Sequence, residues 1–292
     1  MPDNTINWGI LGPGIISTDF AQGLEAVPDA KIVAVGSRDL DRAKSFANTF
    51  NVPNAYGSYQ ALAADPDVDI IYIGTPHNVH KDHTLLSLNA GKHVLCEKPF
   101  AINAAEAEEM IATAREKGLF LMEAMWSRYL PVLVKVRQLI AEEAIGKIRM
   151  VQADFGFRTD VDPEGRLFNP ELGGGALLDA GIYPLSLAHM ILGTPDRITS
   201  MADLGSTGVD EQTAFILGYD SGEMAVLSAA IRTNTPQEAA IFGTDGWIRI
   251  DRTWFISDAL TLKSNGQEEI IPCPLVGNGL NYEAVEAGDC IR

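Results

Sequence analysis

Short apolar runs alternate with amphipathic stretches over the first 124 residues. "INWGILG" (6–12) predicts a buried strand, and "IISTDFAQGLEAV" behind it predicts a helix. "AKIVAVGS" and "DLDRAKSFANTF" repeat the pair, as do "DIIYIGT" and "HKDHTLLSLNAG". "HVLCEKP" is followed by "NAAEAEEMIATAREKG", where Asn103 and Glu106 have the spacing of a capping box. "LFLMEAMW" closes the series as a strand. Short apolar strands joined by helices imply a doubly wound, mostly parallel sheet covered on both faces.

The pattern changes after about residue 145. "KIRMVQADFGFR" predicts a long strand and "GGGALLDAGIYPLSLAHMIL" a glycine-led helix. Strands then follow one another: "EQTAFILGYD", "GEMAVLSAAIR", "EAAIFGTDGWIRI" and "ALTLKS", with turn signals in "YDSGE" and "GTDGW". This predicts an α+β domain with a large, mostly antiparallel open sheet. The expected boundaries are 1–124 and 125–292. Met224 and Val226 alternate with Ala225, Leu227, Ala229 and Ile231, so both faces of that strand are apolar. One face can pack on the glycine-led helix. The other needs a cover, and a second copy of the chain, in a homodimer or homotetramer, is the expectation.

Composition narrows the partners. The 292 residues are 46% hydrophobic and 21% charged, which is globular. Twenty-two basic against 39 acidic residues give a net charge of −17. Such a surface repels phosphate backbones and anionic lipid, so neither nucleic acid nor a membrane is an expected partner. Cys96, Cys273 and Cys290 have no paired or metal-ligand spacing, which fits a reducing cytoplasm and no metal site. The first ten residues lack the layout of a signal peptide, and no run of about 18 uninterrupted apolar residues suggests a span. The chain ends "LNYEAVEAGDCIR", an acidic, helical stretch with no following cap, which reads as a chain cut short.

The turns between strands and helices carry the candidate chemistry. In "GILGPGIIS", Gly12 and Gly14 are two apart and Ser17 stands where a third small residue belongs. Glycine lets a diphosphate approach the backbone, and Ile15 and Ile16 open the helix whose positive end faces it. The first domain is thus a candidate dinucleotide-binding Rossmann domain. The second strand ends on Gly36, Ser37 and Arg38 rather than on an acid. A hydroxyl and a guanidinium, with Arg42 a turn later, suit a ribose 2′-phosphate, so NADP is preferred to NAD. The alternative is that Arg38 and Arg42 pair with Asp39 and Asp41. "GTPHNVH" places Thr75, Pro76 and His77 along the cofactor, with His80 capping or touching the nicotinamide.

"CEKP" closes the next strand. Glu97 and Lys98 stand at the cofactor crevice, where Lys98 can bond a substrate oxygen and exchange a proton. A structural Glu97–Lys98 pair is the alternative. On the glycine-led helix, Asp179 and Tyr183 are four apart and share a face. Pro184 lacks an N–H, so the helix should be loosened beside Tyr183. Asp179 orienting and offsetting Lys98, with Tyr183 or Lys98 passing the proton, would make a triad; the alternative is a helix-capping Asp179 and a core Tyr183. Trp126, Arg128, Phe155 and Arg158 are candidate walls of the substrate pocket.

These motifs together resemble the Gfo/Idh/MocA family, from "GILGPG" through "GTPHNVH", "AGKHVLCEKP" and "MEAMWSRY" to "GGGALLDAGIYPL". The resemblance implies a Rossmann domain, a second domain whose open sheet builds oligomers, and NAD(P)-linked hydride transfer at a carbinol carbon of a sugar, polyol or vicinal diol. Lys98 matches the family's EKP lysine and Asp179 its helix aspartate. Tyr183 stands where inositol-type members carry histidine. In this the chain resembles the dihydrodiol dehydrogenase, glucose–fructose oxidoreductase and xylose dehydrogenase branch. A non-catalytic dinucleotide sensor on the same fold is the competing expectation.

Overall fold

In a computed structural model, which describes residues 5–292, the chain divides into two compact units: residues 1–126 with 276–292, and residues 127–275. The first unit holds β1 (Ile6–Leu11), α1 (Ile15–Leu24), β2 (Ala30–Gly36), α2 (Leu40–Phe50), β3 (Asn54–Tyr56) and α3 (Tyr59–Ala63). β4 (Ile70–Ile73), α4 (His80–Asn89), β5 (His93–Glu97), α5 (Ala104–Lys117) and β6 (Leu121–Ala124) follow. The strands form one parallel sheet in the order β3-β2-β1-β4-β5-β6. That is the order in which the chain reverses between β1 and β4, leaving a crevice at their carboxyl ends. Successive residues of a strand face opposite sides, so each strand feeds two cores. Trp8, Ile10, Tyr72 and Leu95 enter one; Leu11, Ile71, Ile73, Val94 and Cys96 enter the other. Phe20 of α1 stacks on Tyr72 with ring centroids 3.9 Å apart and planes at 4°. The predicted cap holds: Asn103 Oδ1 accepts from the Glu106 N–H at 3.0 Å and starts α5.

The second unit begins with α6 (Pro131–Ala141) and β7 (Ile148–Gly156). A π-helical segment, Leu177–Gly181, runs into α7 (Ile182–Leu192). Then come β8 (Arg197–Leu204), β9 (Asp210–Gly218), β10 (Met224–Ala230), β11 (Ala239–Gly243), β12 (Gly246–Ile250), β13 (Ala259–Ser264) and β14 (Gln267–Pro272). These strands make an eight-stranded sheet in the order β14-β13-β12-β11-β7-β10-β9-β8, antiparallel except for β7 beside β10. One face buries Val151, Leu227, Ala229 and Ile241, with the π segment and α7 packed against β7 and β10. The stretch Pro170–Leu192 is apolar and long enough to cross a membrane, and half of it is buried within this unit. On the opposite face Ile216, Met224 and Val226 lie side by side, 45%, 42% and 38% exposed. Both apolar faces of "EMAVL" are therefore real, and one is uncovered in the single chain.

The sequence boundary needs one correction. Residues 276–292 do not belong with the second unit. Their helix, α8 (Asn281–Ile291), buries Leu280, Ala284 and Ala287 in the core formed by Trp8, Phe20 and Tyr72. Ala284, Ala287 and Ile291 recur at helical spacing and supply the apolar stripe that takes the helix there.

Candidate active site

The glycine-rich turn after β1 is built for close approach. Gly12 has φ +87°, and a Cβ there would sit 2.6 Å from Thr75 Cγ2. Ser17 donates its hydroxyl to the Gly12 carbonyl at 2.7 Å, and a Cβ on Gly74 would fall 2.1 Å from Ser17 Oγ. β1, α1 and the end of β4 thus meet at van der Waals limit, which is why small residues stand there. α1 starts at Gly14 with no side-chain cap, so its first N–H groups stay available. Ile16 is half-buried, whereas Ile15 is 86% exposed at the helix start. Open amides at a helix N-terminus are what a diphosphate requires.

At the end of β2 Ser37 is buried, and its oxygen accepts the Asp39 N–H at 3.1 Å. Its own O–H remains a donor. Asp39 caps α2 by accepting from the N–H groups of Asp41 and Arg42. Arg38 and Arg42 are exposed, and among the described residues neither forms an ion pair. The pairing alternative is set aside: the aspartate serves the helix and leaves the guanidiniums available. His83, which the sequence reading passed over, lies near Arg38. Its Nδ1 is 2.9 Å from Thr75 Oγ1 and its ring meets Tyr59 edge-on at 4.7 Å. Burial, then the neighbouring His80, lowers its pKa to about 4, with Arg38 adding to the fall.

Two predicted cofactor contacts turn inward. His80 is fully buried, with Nδ1 2.9 Å from the Pro99 carbonyl and Nε2 2.8 Å from the Thr75 carbonyl. It ties the end of β4 to the loop after β5, and both ring nitrogens are used within the protein. Glu97 is also buried. It accepts the Tyr72 hydroxyl at 2.5 Å and the Lys98 N–H at 3.0 Å. Glu97 therefore lies beneath the crevice, while Thr75 and Lys98 are half-buried and Pro76 is exposed at its edge. His77 is buried, its ring 5.8 Å from that of His80.

In the second unit Asp179 sits in the π segment and Tyr183 in the first turn of α7, both buried. The loosening predicted from Pro184 is this wide turn. Asp179 does not cap the helix: Asp210 Oδ2 accepts the Leu177 N–H at 2.8 Å instead. Asp179 Oδ1 meets Arg166 Nη1 at 2.5 Å, a partner absent from the sequence reading. Tyr183 is walled by aromatic rings. Phe155 is edge-on at 5.3 Å and Phe255 tilted at 5.2 Å, and those two stack at 4.1 Å. Phe255 was missed as well. Arg128, half-buried, bonds Ser186 of α7 at 3.4 Å. Arg158 is exposed and takes part in the unit through its backbone, bridging Arg232. Trp126 packs on the core of the first unit.

The comparisons with known proteins show the family and the fold. A family model described as "oxidoreductase family, NAD-binding Rossmann fold" matches residues 6–125, and the Gfo/Idh/MocA C-terminal domain matches residues 133–249. A trans-1,2-dihydrobenzene-1,2-diol dehydrogenase of Xenopus tropicalis is 43% identical, over 97% of this chain and 88% of its own length. An aldose–aldose oxidoreductase from Caulobacter crescentus, complexed with glycerol, superimposes with a TM-score of 0.88 at 28% identity, covering 98% of this chain and 89% of its own. KijD10, a 3-ketoreductase from Actinomadura kijaniata in complex with NADP and TDP-benzene, gives a TM-score of 0.87 at 28% identity over 98% and 90%. KijD10 is also solved with a lysine changed to alanine and with a tyrosine changed to phenylalanine.

Proposed function

The chain belongs to the Gfo/Idh/MocA family of oxidoreductases, and on that premise we propose that it is an NADP-dependent enzyme oxidising a vicinal diol or sugar at one carbinol carbon, or reducing the matching carbonyl. The observation that carries the reading is the placement of Lys98 at the end of β5, in the same sheet as the Gly12–Gly14 turn after β1 and two strands from it. Strand ends at the reversal point of such a sheet are where dinucleotides bind.

The residues present fit the cofactor. Gly12, Gly14 and the open amides of α1 would hold the diphosphate, and the Ser37 hydroxyl with Arg38 and Arg42 the 2′-phosphate. When bound, the cofactor would supply a hydride as NADPH in reduction and accept one as NADP⁺ in oxidation. Lys98 bonds the substrate oxygen and lowers the cost of negative charge on it. Tyr183 gives that oxygen a proton in reduction and takes it in oxidation. The Arg166–Asp179 pair fixes the turn that carries Tyr183. Phe155 and Phe255 offer flat apolar surface beside the phenol, which favours a substrate with an apolar ring face next to its hydroxyls. A panel of diols and aldoses with NADP and with NAD, followed by the absorbance of the reduced nicotinamide, tests the reading. Turnover with no member of the panel overturns it.

The exposed row of Ile216, Met224 and Val226 supports a homodimer or homotetramer joined through this face. A monomer by light scattering at micromolar concentration contradicts it. The three cysteines are free thiols, in keeping with a cytoplasmic protein.

A further inference from the structure

The last helix brings a carboxyl group into the core of the first unit. Glu283 of α8 is completely buried, and among the described residues no group hydrogen-bonds either of its oxygens. It faces the side of the sheet that carries Tyr72 and Glu97. Glu97 differs from it in one respect: its two oxygens accept from the Tyr72 hydroxyl and the Lys98 N–H. Nearby Glu123, at the end of β6, accepts the Phe100 N–H with Oε1 at 3.0 Å. The α1 group on this side, Phe20, is apolar.

Two carboxyls in one buried site do not both ionise. The charge settles where donors are, and Glu97 has two; the proton settles where there are none. Burial foremost, then repulsion from Glu97 and Glu123, raises the Glu283 pKa well above the carboxylate range. Burial raises Glu97 too, but Tyr72 and the charge of Lys98 oppose the rise. Tyr72 is driven far above its usual value by burial, then by Glu97 and Glu283, and remains a donor.

We propose that Glu283 and Glu97 form a one-proton pair beneath Lys98, with Glu283 the positioning residue that keeps a single negative charge on Glu97. The effect on Lys98 rests on the catalytic reading above; the pair itself does not. Ionising Glu283 adds a negative charge beside those of Glu97 and Glu123 and draws the ammonium of Lys98 toward Glu97, away from the substrate oxygen.

The sign for stability follows from linkage. Between the ordinary carboxylate pKa and the raised one, folded protein holds a proton that unfolded chain has released. Stability contributed by that proton is full at acid pH and is lost as pH rises through the folded pKa.

The test compares wild type with Glu283→Gln, an isostere of the protonated form. Infrared spectroscopy of wild type at neutral pH should show the C=O stretch of a protonated carboxyl, and the variant should lack it. The wild-type melting temperature should fall by several degrees as pH rises from the ordinary carboxylate range to the pair's second ionisation, about 2–4 °C for each kcal/mol lost, and level off beyond it, and the variant should lack that fall. On the alkaline side wild-type kcat should drop about tenfold per pH unit, and the variant's profile should lack this limb whatever its plateau. Wild type without the protonated-carboxyl band overturns the pair, even if the variant fails to fold. Spectra and melts need no turnover: an inert chain that shows the band overturns the enzymatic reading alone, and an active one without it overturns only the pair.

Discussion

Arg166 Nη1 lies 2.5 Å from Asp179 Oδ1, so a guanidinium on a surface loop, its side chain 57% exposed, neutralises a carboxylate that is 7% exposed. Removing the arginine takes the guanidinium away from a buried carboxylate, which is costlier than never having had the pair. Because Arg166 is more than half exposed, water offsets much of this. Arg166→Met should therefore destabilise the protein by about 1–2 kcal/mol, at the low end for a charged hydrogen bond. It should lower kcat and leave the Kd for NADP unchanged, since the pair lies outside the dinucleotide-binding unit. Asp179→Asn added to it should cost less than the two separate losses combined, because they share one interaction. Additive losses would place Asp179 in some other role.

Arg38→Ala should weaken NADP while leaving NAD nearly untouched. Arg38 has no ion pair to lose, so the whole effect falls on the 2′-phosphate. One charge-assisted hydrogen bond is worth about 1.5–3 kcal/mol, or tenfold or more in affinity. Titration calorimetry with each cofactor checks this, and equal losses remove Arg38 from the phosphate.

His83 predicts a dependence of stability on acid. Its pKa in the folded protein, about 4, lies below the ordinary 6.5, so the unfolded chain takes up the proton first. The contribution is complete above pH 6.5 and is lost as pH falls toward 4. His83→Gln keeps a polar group for Thr75 and removes the titration. Its melting temperature should decline less than that of wild type over this range. Parallel declines would show that His83 does not titrate abnormally.

Much of the first unit can be read from its sequence, because helix and strand announce themselves by period and by caps such as Asn103. β3 and α3 escape, being three and five residues long. β8 escapes for another reason: every residue from Arg197 to Leu204 is exposed, so no face of it has to be apolar. Lys98, Asp179 and Tyr183 stand out because polar groups interrupt apolar runs. Arg166 and Phe255 do not. Arg166 lies in a turn and Phe255 in a three-residue 3-10 helix, each at no fixed spacing from the residue it touches, and only the folded chain joins them. Glu283 is the sharpest case. In "NYEAVEAGD" an acid predicts a solvated face, yet Glu283 is buried while Glu286 stays outside. His80 and Glu97 are both buried and bonded within the protein, which sequence could not foretell, since it gives a strand end without giving the direction of a side chain.

The proposed reaction has Lys98 and Tyr183 act on one substrate proton. Single-turnover kinetics with NADP-saturated wild type, Lys98→Met, Tyr183→Phe and the double variant measure this directly. General acid–base groups contribute about 10²–10⁴-fold, and each single variant should lose a factor of that order in the hydride-transfer rate with little change in NADP affinity. The double variant should be scarcely slower than the poorer single, because groups that act as a unit are not additive. Full activity in Tyr183→Phe would leave Lys98 as the sole proton carrier, and full activity in Lys98→Met would contradict the mechanism itself.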